Sequence, residues 1–187
     1  RQHADALDDA GLAHFEAEPI VPAKRARCAH RQDARQLDRF AIGDAPRVAD
    51  LFCGLGTFAL PLAANRRRVL AADNAGPAMA ALTAAARGAG LLLLPEVRDL
   101  FRRPMDVEEL KRFDAVVFDP PRAGAASQAA MLAKSNVPRV VAVSCNPVSF
   151  AADARTLVAG GYRLVKLTPV AQFRWSPHLE LVAVFER

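Results

Sequence analysis

The chain has 187 residues, enough for one domain with a substantial core and too few for two comfortable ones. Hydrophobic residues make up 52% and charged residues 24%, a globular balance; no apolar run is long enough to cross a bilayer, nothing at the start resembles a signal peptide, and the cytoplasm is the expected compartment. The formal charge of +5 comes mainly from arginine, which suits planar contacts with phosphates and bases, although genome composition explains such enrichment equally well. The three cysteines, Cys28, Cys53 and Cys145, are odd in number and widely spaced, so they form neither a disulfide framework nor a paired metal signature, and no metal is expected.

Residues 1 to 46 are read as an N-terminal arm, in which Asp5 to Phe15 and Ala29 to Phe40 have weak helical patterns interrupted by Pro19, Pro22 and Pro46. The first residue is Arg1 rather than methionine, as in a segment of a longer chain. From Arg47 the pattern alternates. Strands are predicted at Val48 to Cys53, Arg68 to Asp73, Leu91 to Val97, Asp114 to Asp119 and Arg139 to Cys145. Helices are predicted at Thr57 to Asn65, Pro77 to Gly88, Asp106 to Arg112, Ala125 to Ser135 and Ser149 to Ala159. Tyr162 to Pro169 and Leu179 to Phe185 close the chain as two strands with no helix between them, and are expected to form an antiparallel edge pair. Strands alternating with crossover helices imply an α/β domain over residues 47 to 187, with a doubly wound, mainly parallel sheet of Rossmann-like type.

After the first strand, Asp50-Leu51-Phe52-Cys53-Gly54-Leu55-Gly56-Thr57 makes a tight glycine turn into a helix. The two glycines let a ligand approach the backbone, as in dinucleotide sites, but the carboxylates favour a different adenosine cofactor. Asp50, four residues before Gly54, suits the sulfonium and amino charges of S-adenosylmethionine, where a pyrophosphate would be repelled. Asp73 ends the second strand 17 residues after Gly56, in position for ribose hydroxyls. Asp99, near the end of the third strand, is then placed for the adenine amino group. A single aspartate at a strand end is more often a cap or a solvated terminus, whereas three at successive strand ends point to a bound adenosine.

The fourth strand runs into Asp119-Pro120-Pro121-Arg122-Ala123-Gly124, the fifth into Ser144-Cys145-Asn146-Pro147, and His178-Leu179-Glu180 precedes the last strand. In this order, behind the glycine loop, these motifs resemble the RNA uracil-5-methyltransferase family, which forms 5-methyluridine in ribosomal or transfer RNA. The resemblance covers about Val48 to the end. It implies Cys145 as nucleophile, Glu180 as general base, Asp119 as a cofactor or substrate contact, and Phe52, Thr57 and Asp73 around S-adenosylmethionine. It also implies an RNA substrate, with Arg122 and His178 as candidate contacts to it.

The chemistry accounts for such a set. C5 of uracil is a poor nucleophile until a thiolate adds to C6, and C5 afterwards carries a proton that a carboxylate must remove. A free thiol is mostly protonated at neutral pH, so a cation such as Arg122 would help it. Arg122 is equally suited to a phosphate or to the enolate oxygen, and His178 to orienting Glu180. Cys53 is expected to be core, and Cys28 has no assigned role. RNA cytosine-5-methyltransferases place a cysteine where Pro121 stands, and adenine amino-methylating enzymes place an aromatic residue where Arg122 stands. A non-catalytic relative that binds cofactor or RNA is the alternative of a different class. Full-length family members carry an N-terminal RNA-binding barrel and often a central domain with cysteine ligands, and neither fits into 46 residues. Arg174 and Trp175 also depart from the family's usual wording before His178.

Overall fold

A computed structural model describes residues 41–170 and 179–187. The expected helices at Asp5 to Phe15 and Ala29 to Phe40, together with Cys28, Arg174, Trp175 and His178, lie outside the described residues. The described elements in chain order are β1 (Arg47–Leu51), α1 (Ala59–Ala64), β2 (Arg68–Asp73), α2 (Gly76–Gly88), β3 (Leu93–Val97) and α3 (Val107–Leu110). They continue as β4 (Ala115–Phe118), α4 (Ala126–Lys134), β5 (Arg139–Ser144), α5 (Pro147–Ala159), β6 (Arg163–Val170) and β7 (Glu180–Glu186).

The strands form one seven-stranded sheet in the order β3-β2-β1-β4-β5-β7-β6. β1 pairs in parallel with β2 on one side and β4 on the other, so the chain reverses its winding between β1 and β4. The crevice beyond the carboxyl ends of those two strands is where such a sheet binds ligands. β7 runs antiparallel to both β5 and β6, so the expected antiparallel pair is present, with β6 at the edge and β7 inside the sheet.

β1, β4 and β5 alternate apolar residues on both faces because both faces are covered. Leu51, Leu70, Phe118, Val140, Leu157 and Phe185 belong to one buried cluster. Val48, Val69, Val117, Val141, Leu62 and Met79 belong to the other, which also takes in Ala41 and Ile42. Each fully buried side chain of this size contributes about 1.5–3 kcal/mol relative to exposure.

Several boundaries differ from expectation for local reasons. Cys53 and Cys145 stand one or two residues beyond their strands, in the turns. The helix after β5 begins at Pro147 rather than Ser149, because Asn146 supplies the N-cap oxygen and proline fits the first helical position. α1 begins at Ala59 rather than Thr57, since the glycine turn occupies the residues before it. Among the described residues no helix is long and apolar enough to cross a membrane, and no group of three His, Cys, Asp or Glu is placed to hold a metal.

Candidate active site

A cavity of about 550 Å³ opens at the carboxyl ends of β1, β4 and β5. Its walls include Phe52, Thr57 and Asp73 on one side and Asp119, Cys145 and Glu180 on the other. Six of the residues singled out from the sequence therefore meet around one hollow.

The first side is built by the turn after β1. Phe52 adopts φ 63°, a left-handed conformation unfavourable for a bulky residue, and its N–H donates to the Ala72 carbonyl at 2.9 Å. The Gly54 N–H donates to Asp73 Oδ2 at 2.9 Å, and the Ala75 N–H to Asp73 Oδ1 at 2.8 Å. Asp73 thus fixes the turn while still facing the cavity, since a carboxylate has about four acceptor sites. Gly56 has φ 85°, and a Cβ there would collide with Leu82 of α2.

Neither glycine lines the cavity. Gly56 needs its bare backbone to pack on α2, whereas the space where a Gly54 side chain would stand is open among the described residues.

Three further residues singled out from the sequence stand outside that lining. Asp50 is fully buried beneath the turn, and among the described residues neither of its oxygens has a partner in hydrogen-bonding geometry. Burial, followed by the charges of Asp119 and Asp73, raises its pKa well above the usual carboxylate range, and the nearby Ala59 N–H offsets this only in part. Asp99 does not line the cavity either: its Oδ1 accepts from the N–H groups of Phe101 at 3.0 Å and Arg102 at 3.2 Å, closing the loop after β3. The Arg122 side chain is exposed beside the cavity rather than in its wall, where a contact with RNA phosphate remains open to it. Cys53 is buried against Met79, with its sulfur 3.6 Å from the thioether. Burial and then Asp50 and Asp73 push that thiol far up, which suits core packing.

Residues that sequence reasoning passed over complete the first side. Leu100 and Phe101 line the cavity, and the Phe101 and Phe52 rings stand 5.3 Å apart at 56°. Arg98, buried and also in the wall, donates to both oxygens of Glu109 at 2.7 Å and to the carbonyls of Arg103 and Pro104. The signal available was the apolar pair directly after Asp99, which has no role in helical or strand periodicity.

On the reaction side, the Asp119 N–H donates to the Leu51 carbonyl at 3.1 Å, so the β1–β4 ladder carries Asp119 to the rim. The β5–β7 register pairs Ser144 with Leu181. Cys145 directly follows Ser144 and Glu180 directly precedes Leu181, and both line the cavity. A thiol and a carboxylate, 35 residues apart in sequence, thus flank the last pair of the β5–β7 ladder and share one cavity.

The family model described as tRNA (uracil-5-)-methyltransferase matches residues 93–187, which include all three reaction-side motifs. The chain belongs to this family. Among curated relatives of this uracil-5-methyltransferase family member, a protein of Caulobacter vibrioides named as an uncharacterized RNA methyltransferase is 57% identical over 145 residues, covering 76% of this chain and 35% of that protein. A 23S rRNA (uracil(1939)-C(5))-methyltransferase of Cronobacter sakazakii is 39% identical over 162 residues, covering 82% of this chain and 36% of that protein. The chain thus spans about a third of the length of the curated relatives it matches. Among solved structures, the Pyrococcus abyssi tRNA (uracil-54, C5)-methyltransferase in complex with S-adenosyl-L-homocysteine superimposes with a TM-score of 0.70 at 27% identity, over 91% of this chain and 40% of that one. The fold is the Rossmann-like fold of S-adenosylmethionine-dependent methyltransferases.

Proposed function

We propose that this domain transfers a methyl group from S-adenosylmethionine to C5 of a uridine in RNA through a covalent adduct on Cys145. The observation that supports the reading is that Cys145, Glu180 and Asp119 line one cavity, Cys145 and Glu180 flanking the Ser144–Leu181 pair of the β5–β7 ladder. The cavity suits an adenosine cofactor: the Phe52 and Phe101 rings offer an aromatic surface, and Asp73 presents a carboxylate at the end of β2. S-adenosylmethionine supplies an electrophilic methyl group when bound, and Phe52, Phe101, Thr57 and Asp73 are the residues that would hold it.

Cys145, as thiolate, forms a bond to C6 of the uracil and leaves C5 electron-rich enough to accept the methyl group. Glu180 then takes the proton left on C5, and the electrons released expel the cysteine sulfur from C6. Both steps need the uridine out of its stack, as for other enzymes that act on a base. The RNA substrate also suits the arginine-rich composition. Pro121 stands where cytosine-5-methyltransferases carry a cysteine, which favours uracil as the base.

The deciding experiment incubates the protein with labelled S-adenosylmethionine and unmodified total RNA and identifies the labelled nucleoside. Label in 5-methyluridine is expected. Cys145→Ala should abolish transfer while leaving S-adenosylhomocysteine binding intact, and Glu180→Gln should accumulate a protein-RNA band that survives denaturation. Label in another nucleoside, or full turnover by Cys145→Ala, refutes the mechanism. Cofactor binding with no label in any RNA identifies a binding module instead.

A further inference from the structure

The turn between β5 and α5 is held by one residue that contacts both reaction-side loops. Asn146 Oδ1 accepts from the Val148 N–H at 3.1 Å, the cap that starts α5. Its Nδ2 donates to the carbonyl of Arg122 at 2.9 Å, in the loop that Asp119 begins. The amide orientation follows from these partners, because a flipped amide would set donor against donor and acceptor against acceptor. The Asn146 backbone is fixed as well: its N–H donates to Ser144 Oγ at 3.1 Å, and its carbonyl accepts from Ser144 Oγ at 3.1 Å and Ser149 Oγ at 3.2 Å.

Capping alone does not select asparagine. Serine, threonine or aspartate supplies the same acceptor oxygen, but only asparagine among good caps adds an N–H₂ donor. The donor is the group that reaches across to the Asp119 loop. A second tether lies about two turns further along α5, where buried Asp153 Oδ2 accepts from the Ala125 N–H at 2.9 Å. Gly124, between the two tethers, has φ 81°, and a Cβ there would press on Ser149 and Asp153. The fourth-strand loop is therefore seated against the first two turns of the helix that follows Cys145.

We propose that Asn146 is a positioning residue for the nucleophile: its Nδ2 bond to the Arg122 carbonyl locks the Cys145 turn to the Asp119 loop, so that the thiol and Asp119 keep one separation. This rests on the assignment of Cys145 as nucleophile. Catalytic geometry tolerates displacements of only about 0.5 Å, and a thiol in a turn between strand and helix gains that precision from its neighbours.

The test separates the two duties of the amide. Asn146→Asp keeps the capping oxygen and places an acceptor against the Arg122 carbonyl, while Asn146→Ser keeps a cap and removes the reach. The first measurement is the rate of Cys145 alkylation by iodoacetamide, followed on its peptide by mass spectrometry with buried Cys53 as the internal control. The second is covalent capture of rRNA transcribed with 5-fluorouridine, in the presence of S-adenosylmethionine; fluorine at C5 cannot leave as a proton, so the adduct stalls.

Both variants are expected to keep the parent's melting temperature, to hold S-adenosylhomocysteine affinity within about twofold of the parent, to alkylate Cys145 at least about threefold faster, and to capture RNA about tenfold more slowly at an unchanged half-saturating RNA concentration. Alkylation at the parent rate in Asn146→Asp overturns the proposal whatever the RNA result. Faster alkylation, with no RNA captured even by the parent protein, upholds the tether and refutes the proposed reaction.

Discussion

Arg98 and Glu109 meet through two parallel hydrogen bonds, each 2.7 Å long, across the loop that carries Leu100 and Phe101 into the cavity wall. The guanidinium is 6% exposed and the carboxylate 32%, so one partner is buried and the other faces water at its edge. Asp106 and Glu109 add a reciprocal capping box at the start of α3. The planar fork of arginine suits this site because its remaining N–H groups hold the carbonyls of Arg103 and Pro104, and lysine could not reach all of them.

Acid should loosen this loop before the sheet. The Arg98 hydrogen bonds hold Glu109 at about 2, below its ordinary value, with burial opposing. A depressed folded pKa means that the stabilisation is complete above the unfolded value near 4.5 and is lost as pH falls towards 2. Glu109→Gln should cost about 1–3 kcal/mol at pH 7 and remove that part of the acid dependence. Urea denaturation at pH 7 and pH 3.5 measures both; equal losses at the two pH values would contradict the assignment.

Phe101→Ala should weaken S-adenosylhomocysteine binding about fivefold, the loss of one aromatic contact worth about 1 kcal/mol, without lowering the melting temperature appreciably. The ring is 45% exposed and packs on Phe52, so little core is removed. Calorimetric titration reads the affinity. Unchanged binding would move the adenosine away from this wall.

The two loop glycines should respond differently to alanine. Gly54 has φ 53° with nothing near its missing Cβ, so Gly54→Ala meets only backbone strain of about 1 kcal/mol. Gly56→Ala adds a collision with Leu82, which is 1% exposed and enclosed, for a total of about 2–4 kcal/mol. Denaturant midpoints of the two variants should therefore rank in that order, and the reverse order would mean that α2 yields freely.

Asp50→Asn should stabilise the protein at neutral pH and much less in acid. The folded pKa of Asp50 is raised, so the folded state holds a proton that the unfolded state has released once pH passes the ordinary carboxylate value near 3.8. Stability from this group consequently falls as pH rises from there towards the folded value. Asparagine has no such proton to lose, so the difference between variant and parent should grow as pH rises above the ordinary carboxylate value in urea titrations. A difference independent of pH would show that Asp50 is ionised in the fold.

Local pattern determined much of this protein before any coordinate. The alternation of apolar runs with helix-forming segments set the parallel sheet, and β2 runs from Arg68 to Asp73 as the sequence predicts, because short-range periodicity reports which residues must be covered. Motif order likewise marked Cys145, Asp119 and Glu180. Tertiary structure alone decided what those side chains face. The β5–β7 pairing carries Cys145 and Glu180 to one cavity, whereas Asp50 and Asp99, alike in sequence to Asp73, turn to the core and to their own loop. A carboxylate at a strand end reads the same whether its donors are backbone groups or a ligand, and only the packed fold distinguishes them. The same holds for Arg98 and Phe101, whose place in the wall depends on a salt bridge to α3 that no periodicity encodes.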